Sequence, residues 1–412
     1  MGRARALGLL LVILAVTSLA HRHETQDTVT GAHGPFPAAF AGKSPSTPQN
    51  IINRTLDDGV SLPEDAGLAH GLAVERTETG AQAVNLRTGK EYWRYERGGT
   101  DASVLMLKVS ERTVVIGYSD QELVGVDLRT GEPLWRTKVW HRRGYQIMGL
   151  AGGQVIARTT SGTLGAFDER DGRRLWTATT PDACPNMHIN TVYVLPRHLS
   201  AIPTYCDGAN GGERGLLLGI DNRTGEVLWH QGTLGPESMV RDGERTLIAP
   251  DPDRPSTIRL LDVNRQGIFL RAAFPADNWV PVASGSGTVV SATESRGQDD
   301  GAYDIRLRSY DTRTGHLAWQ LPAPPGLVYG LPKIADGRLY VVRQPKSDDV
   351  DASTRTDLLV LDAKSGQLLH TLPLPRPPAA DRPYDDEVMV NSVTGGAVNM
   401  SRRYRELMIA TD

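Results

Sequence analysis

Val126-Asp127-Leu128-Arg129-Thr130-Gly131-Glu132-Pro133-Leu134-Trp135 is one copy of a phrase that the chain repeats. Upstream stands Val84-Asn85-Leu86-Arg87-Thr88-Gly89, with Trp93 four residues beyond the glycine. Downstream come Asp168 with Gly172 and Trp176, Asp221 with Gly225 and Trp229, and Asp311 with Gly315 and Trp319. Two copies are worn. Asp262 and Gly267 are followed by Arg271 at the tryptophan place, and Asp362 and Gly366 by His370. Five of the seven tryptophans occupy this one place.

The phrase has a physical reading. An apolar run ends in Asp, and a second run begins after Gly. The carboxylate can accept bonds from backbone N–H groups two or three residues on, and Gly supplies the positive φ that closes the loop. The result is a β-hairpin whose second strand carries a large apolar ring suited to filling the space between sheets. These Asp, Gly and Trp residues are therefore read as turn and packing residues rather than as a ligand site. The repeating glycines lie about 41 to 53 residues apart, the period of propeller blades. A run such as Arg112-Thr113-Val114-Val115-Ile116-Gly117-Tyr118 precedes each phrase, with a looser segment before it. That makes four antiparallel strands per unit and an all-β propeller.

The chain of 412 residues is long enough for one large repeat domain. Its formal net charge of −3 implies no basic surface, so a nucleic-acid partner is not expected. Residues 1–20 read as an export segment. Arg3 and Arg5 precede an apolar run from Ala6, and Ser18-Leu19-Ala20 offers a cleavage site. An uncleaved signal anchor is the alternative, and in either case the remainder lies outside the cytoplasm. No cysteine stands nearby for a lipid anchor. Residues 21–49 are polar and rich in Gly, Pro, Ser and Thr, which predicts a flexible tether. Within it, His21-Arg22-His23 would form an amino-terminal Cu²⁺ or Ni²⁺ motif if cleavage follows Ala20.

The propeller is assigned to residues 50–412. Its last unit, built on residues 395–400 and 406–410, lacks a fourth strand. An open edge is a hazard, and Asn50-Ile51-Ile52-Asn53-Arg54-Thr55 can supply the missing strand. That closure gives eight blades; seven blades and a loose tail is the alternative. Cys184 and Cys206 lie in one unit, and an exported chain favours a disulfide between them over two buried thiols. Inserts around residues 207–212, 298–301 and 347–351 all fall between second and third strands. They should emerge on one face, as binding surfaces or as solvated length variation.

The Asp127 to Trp135 phrase and its sisters resemble the repeat of the pyrroloquinoline-quinone (PQQ)-like β-propellers, from about residue 60 onward. Fold alone does not decide function. One branch, the quinoprotein dehydrogenases, implies PQQ with Ca²⁺ at the ring axis, an Asp base and a disulfide between adjacent cysteines. This chain has no adjacent cysteines, and no Glu-Asn-Asp metal set aligns. Asp299, Asp300, Asp349 and Asp351 lack the spacing of a calcium loop. The other branch, the lipoproteins that scaffold outer-membrane β-barrel assembly, implies a rigid non-catalytic ring whose loops bind a partner chain. The chain departs from it in lacking the lipidated cysteine. The expectation is a monomeric, exported or membrane-anchored binding module for a protein or cell-envelope ligand, with no cofactor or catalytic residues. A PQQ/Ca²⁺-dependent oxidoreductase is the alternative. A sugar-directed role would rest on Trp140 and Trp279, which stand outside the repeated place.

Overall fold

Each phrase closes the hairpin between the third and fourth strands of a four-stranded antiparallel sheet in a computed structural model of the chain, and eight such sheets form a ring. The structure describes residues 27–40, 44–55, 67–99, 101–139, 145–159, 163–179, 187–189, 192–207, 213–233, 239–251, 254, 257–275, 279–293, 306–345, 355–375, 387–402 and 406–412. The second blade shows the pattern: Val104–Val109, Thr113–Tyr118, Glu122–Asp127 and Pro133–Lys138, paired in sequence order. First strands of neighbouring blades lie against one another around the axis. In the fourth blade the first strand is split, and Met187–Ile189 and Tyr193–Leu195 both pair with Leu199–Asp207. The seventh blade is split in the same way. No helix among the described residues is long and apolar enough to cross a membrane.

The second strands are buried on both faces; Thr113–Tyr118 is covered along its whole length. This is what a blade sandwiched between two others demands, and it explains why these runs read as continuously apolar rather than alternating. The core is a series of interblade clusters. One joins the first and second blades through Trp93, Tyr95, Leu107 and Ile116. Another joins the seventh and eighth through Tyr340, Val360, Met400 and Met408.

The repeated residues act in a chain of blade-to-blade contacts. Asp127 Oδ1 accepts bonds from the amides of Arg129 (2.7 Å) and Thr130 (3.0 Å), and Gly131 N donates to the Asp127 carbonyl at 2.9 Å. Asp168, Asp221, Asp311 and Asp362 fix their turns in the same way. Each tryptophan then docks on the turn of the next blade. Trp93 Nε1 donates to the Leu128 carbonyl at 2.8 Å, Trp135 to Glu169 at 2.8 Å, and Trp176 to Asn222 at 2.7 Å. Trp229 meets Asn264 and Trp319 meets Ala363, both at 2.9 Å. The turn glycine lies flat on the same indole. A Cβ on Gly172 would sit 2.4 Å from Trp135, and one on Gly225 would sit 2.6 Å from Trp176. The glycine thus answers to the neighbouring blade as well as to its own turn.

The fifth blade departs from the expected alignment. Asn264, not Asp262, makes its turn, accepting from Gln266 N at 2.7 Å. Strand Thr257–Asn264 therefore runs two residues further, and a bulge slips the partner strand. Ala272, not Arg271, stands opposite Leu260. Phe274 takes the packing role instead, where a Cβ on Gly315 would sit 2.8 Å from it. In the seventh blade His370 does occupy the tryptophan place, opposite Val360, and its Nε2 lies 2.9 Å from the Pro48 carbonyl.

The ring closes through its amino-terminal residues. Asn50–Thr55 pairs antiparallel with Glu406–Thr411, from Asn50 opposite Thr411 to Thr55 opposite Glu406. The closing turn is assembled from opposite ends of the one chain. Asp412 accepts from Ser46 N at 3.0 Å and Thr47 N at 2.8 Å, the bonds that Asp127 makes within one loop.

Candidate functional site

The two faces of the ring differ. On one, the hairpins between first and second strands lie beside the Asp-Gly turns. On the other, second strands pass to third, and each fourth strand passes to the next blade. The strand ends flanking the three inserts, Asp207 with Glu213, Thr293 with Leu307 and Pro345 with Asp357, all lie on this second face. The three insert tips, Trp140, Cys184 and the His21-Arg22-His23 motif lie outside the described residues, as do the side chains of Cys206 and Trp279. The Cys184 to Cys206 pairing is therefore outside them too.

The turn face carries a feature that composition alone had pointed away from. Part of the segment expected as a tether lies against the ring. Thr28–Thr30 adds a fifth strand to the outer edge of the first blade, with Thr28 opposite Glu96 and Thr30 opposite Arg94. Asp27 fixes its start, accepting from Tyr95 Oη at 2.6 Å and Gly98 N at 3.2 Å and pairing with Arg136. The arm then turns onto the turn face. Its Phe36 ring lies 5.3 Å from the His70 ring and 6.3 Å from that of Tyr92. Further on, Ser44 Oγ donates to Asp336 at 3.0 Å, and Tyr340 donates to the Pro45 carbonyl.

Turn arginines hold this arm. Arg87 donates to the carbonyls of Ala38 (2.5 Å) and Ala39 (3.3 Å), and its guanidinium lies 4.1 Å from the Phe40 ring centre. Arg129 stands over Phe36 at 4.7 Å. Both stacks are cation–π contacts. The crossing is close: a Cβ on Gly71 would sit 2.8 Å from the Ala38 carbonyl oxygen, and Gly71 has φ +72°. His70 beside it is held at φ 48°, an uncommon conformation for a non-glycine residue. Its Nε2 lies 2.8 Å from Glu111 Oε2.

Between the arm and the first two blades lies a groove of about 630 Å³, within the span of ligand clefts. Residues 36–39 form its apolar side. His70, Glu111, Arg112, Asp127 and Arg129 form the other. The acids here have partners: Glu111 meets His70, and Asp127 meets its own turn amides. Among the described residues, neither the Arg112 nor the Arg129 guanidinium meets a carboxylate. Burial pushes the Tyr92 phenol up, with Arg129 acting against it. Asp127 is the one predicted repeat residue that lines the groove. The arm and Arg112 went unread; the available signal was Phe36 and Phe40, two of only five phenylalanines, set in a polar stretch.

A calcium-bound quinone at the ring axis would need several oxygen ligands from the strands nearest it. The described first strands bring Lys108, Arg241 and Lys333 but only one carboxylate, Asp242, which accepts from Thr312 at 3.1 Å. Burial lowers the Lys333 amine and raises the Asp242 carboxyl. Among the described residues no three His, Cys, Asp or Glu side chains converge to hold a metal ion. These residues do not make the oxygen-rich set that calcium takes.

Residues 77–237 and 213–412 match the family model described as outer membrane protein assembly factor BamB. The BamB of Burkholderia pseudomallei is 27% identical over 182 residues, covering 40% of this chain and 44% of that protein. The quinoprotein alcohol dehydrogenase PedH of Pseudomonas putida is 27% identical over 175 residues, covering 38% of this chain and 28% of that protein. The chain thus spans less than half the length of either relative. The crystal structure of BamB from Moraxella catarrhalis superposes with a TM-score of 0.55 at 15% identity, over 89% of this chain and 99% of that one. At that identity the likeness concerns the fold.

Proposed function

Since the chain belongs to the family described as outer membrane protein assembly factor BamB, we propose that it is an exported, non-catalytic propeller that holds a protein partner in the cell envelope. The observation that carries this reading is the family match, which reaches from residue 77 to residue 412. The dehydrogenase alternative draws no support from the described first strands, which carry three cationic side chains and one carboxylate. The ring also suits the role physically. Every blade is stitched to the next, so loops on either face are held by a rigid frame and bind without first being ordered. A part in outer-membrane assembly is the finer form of the same proposal.

Two measurements test it. Crosslinking in intact cells followed by purification of the full chain should capture a protein partner reproducibly. Titration of the full chain with PQQ and Ca²⁺ should leave both absorbance and melting temperature unchanged. Saturable PQQ uptake with a raised melting point, followed by alcohol oxidation, would overturn the scaffold reading in favour of the dehydrogenase.

A further inference from the structure

The groove between the arm and the first two blades has a chemistry of its own. Its apolar side is a stretch of arm in which Phe36 is half-buried and Ala38 and Ala39 are exposed. Its polar side holds two guanidiniums without acid partners among the described residues, beside two acids already engaged. The unspent charge is therefore positive, although the chain as a whole is at −3. Arg112 is exposed, and among the described residues its side chain anchors no other element. Guanidinium is the group best shaped to receive carboxylates, through paired N–H donors.

We propose that this groove takes an extended acidic segment of a partner polypeptide, its carboxylates on Arg112 and Arg129 and an apolar side chain against Phe36 and Ala38. The assignment rests on the protein-binding reading above and places one contact on the turn face, opposite the inserts. Charge complementarity selects the occupant, since a basic segment would meet two uncompensated guanidiniums. The arm supplies the length, because four successive residues, 36–39, line the groove and offer a track rather than a point.

The probe is a short capped peptide alternating glutamate with leucine and carrying a fluorophore, read by anisotropy against the full chain in detergent. Binding should saturate and weaken with added salt, as exposed charge pairs do. Arg112→Glu, and the double change Arg112→Glu with Arg129→Glu, should weaken it by about tenfold or more. Arg170→Glu, at the equivalent turn position of the third blade, should leave it unchanged. Arg112→Gln serves if charge reversal lowers the melting temperature. Equal binding of a lysine–leucine peptide, equal loss with Arg170→Glu, or no binding at all would overturn the assignment. So would free glutamate competing as well as the peptide, which would mark a small-anion site. Crosslinking separates the two proposals: if the double variant captures the same partner as the parent chain while the peptide fails, the groove is wrong and the scaffold stands.

Discussion

Trp176 shows what a single residue of the repeat contributes. It is buried against the fourth blade, with its N–H on the Asn222 carbonyl and Gly225 flat on its ring. Trp176→Ala should cost about 3–5 kcal/mol through the lost ring and the cavity left behind. Trp176→Phe keeps most of the apolar body but orphans a buried carbonyl, at about 1–3 kcal/mol. The denaturant midpoint should fall further for the Ala variant than for the Phe variant, and a Phe midpoint equal to that of the parent chain would remove the hydrogen bond from the account. The turn carboxylates make a second prediction. The Thr314 amide holds the Asp311 carboxyl below its ordinary value, and the Ser365 amide does the same for Asp362. For Asp221, burial acts the other way, but the Arg223 amide and the Arg265 guanidinium outweigh it. A carboxyl that titrates lower folded than unfolded contributes fully above the ordinary range, and its contribution is lost as pH falls through the folded value. The melting temperature should therefore hold from about pH 7 to about pH 5 and decline below about pH 4. Asp311→Asn with Asp362→Asn should flatten that decline without opening the turns. Asn85 and Asn264 already make the same bond, to Arg87 N at 2.9 Å and Gln266 N at 2.7 Å.

At the scale of elements, two amino-terminal strands do different work. Asn50–Thr55 completes the eighth blade, whereas Thr28–Thr30 only thickens the first. A chain lacking residues 1–55 should leave Glu406–Thr411 as an open edge, melt lower, and associate with rising concentration in size-exclusion chromatography. A chain lacking residues 1–26 should do neither. Gly71→Ala should push the arm away from Ala38 and raise proteolysis within residues 27–40, with a small change in melting temperature. The closing strand was legible because its short apolar pair matched a gap left by the last unit. The arm was not, because Gly and Pro describe its composition while two phenylalanines decide its place. Arg271 misled for a related reason: spacing was counted from a glycine, while the blade takes its register from Asn264. The Asp-to-Gly turns could be read residue by residue because a turn is local. The groove could not, since it joins residues 36–39, 70, 111, 112, 127 and 129, which only the packing of the arm across the first two blades brings together.

For the whole molecule, stiffness comes from a relay in which each of the first seven blades grips the turn of the next, so damage at one seam should spread to its neighbours before the rest. Hydrogen exchange on Trp176→Ala should show lost protection in the third and fourth blades, with the seventh and eighth retained. Uniform loss would mean that the ring unfolds as one unit. The pinned start of the arm has a further consequence. Asp27 is held at the end of the first blade where Gly98 leaves it, on the insert-bearing side. Only residues 21–26 separate it from Ala20, the end of the apolar run. Fully stretched, that leash reaches no more than about 25 Å. A bilayer gripping the run would then moor the ring like a boat by its bow, within about that distance of the lipid and by its insert-bearing rim.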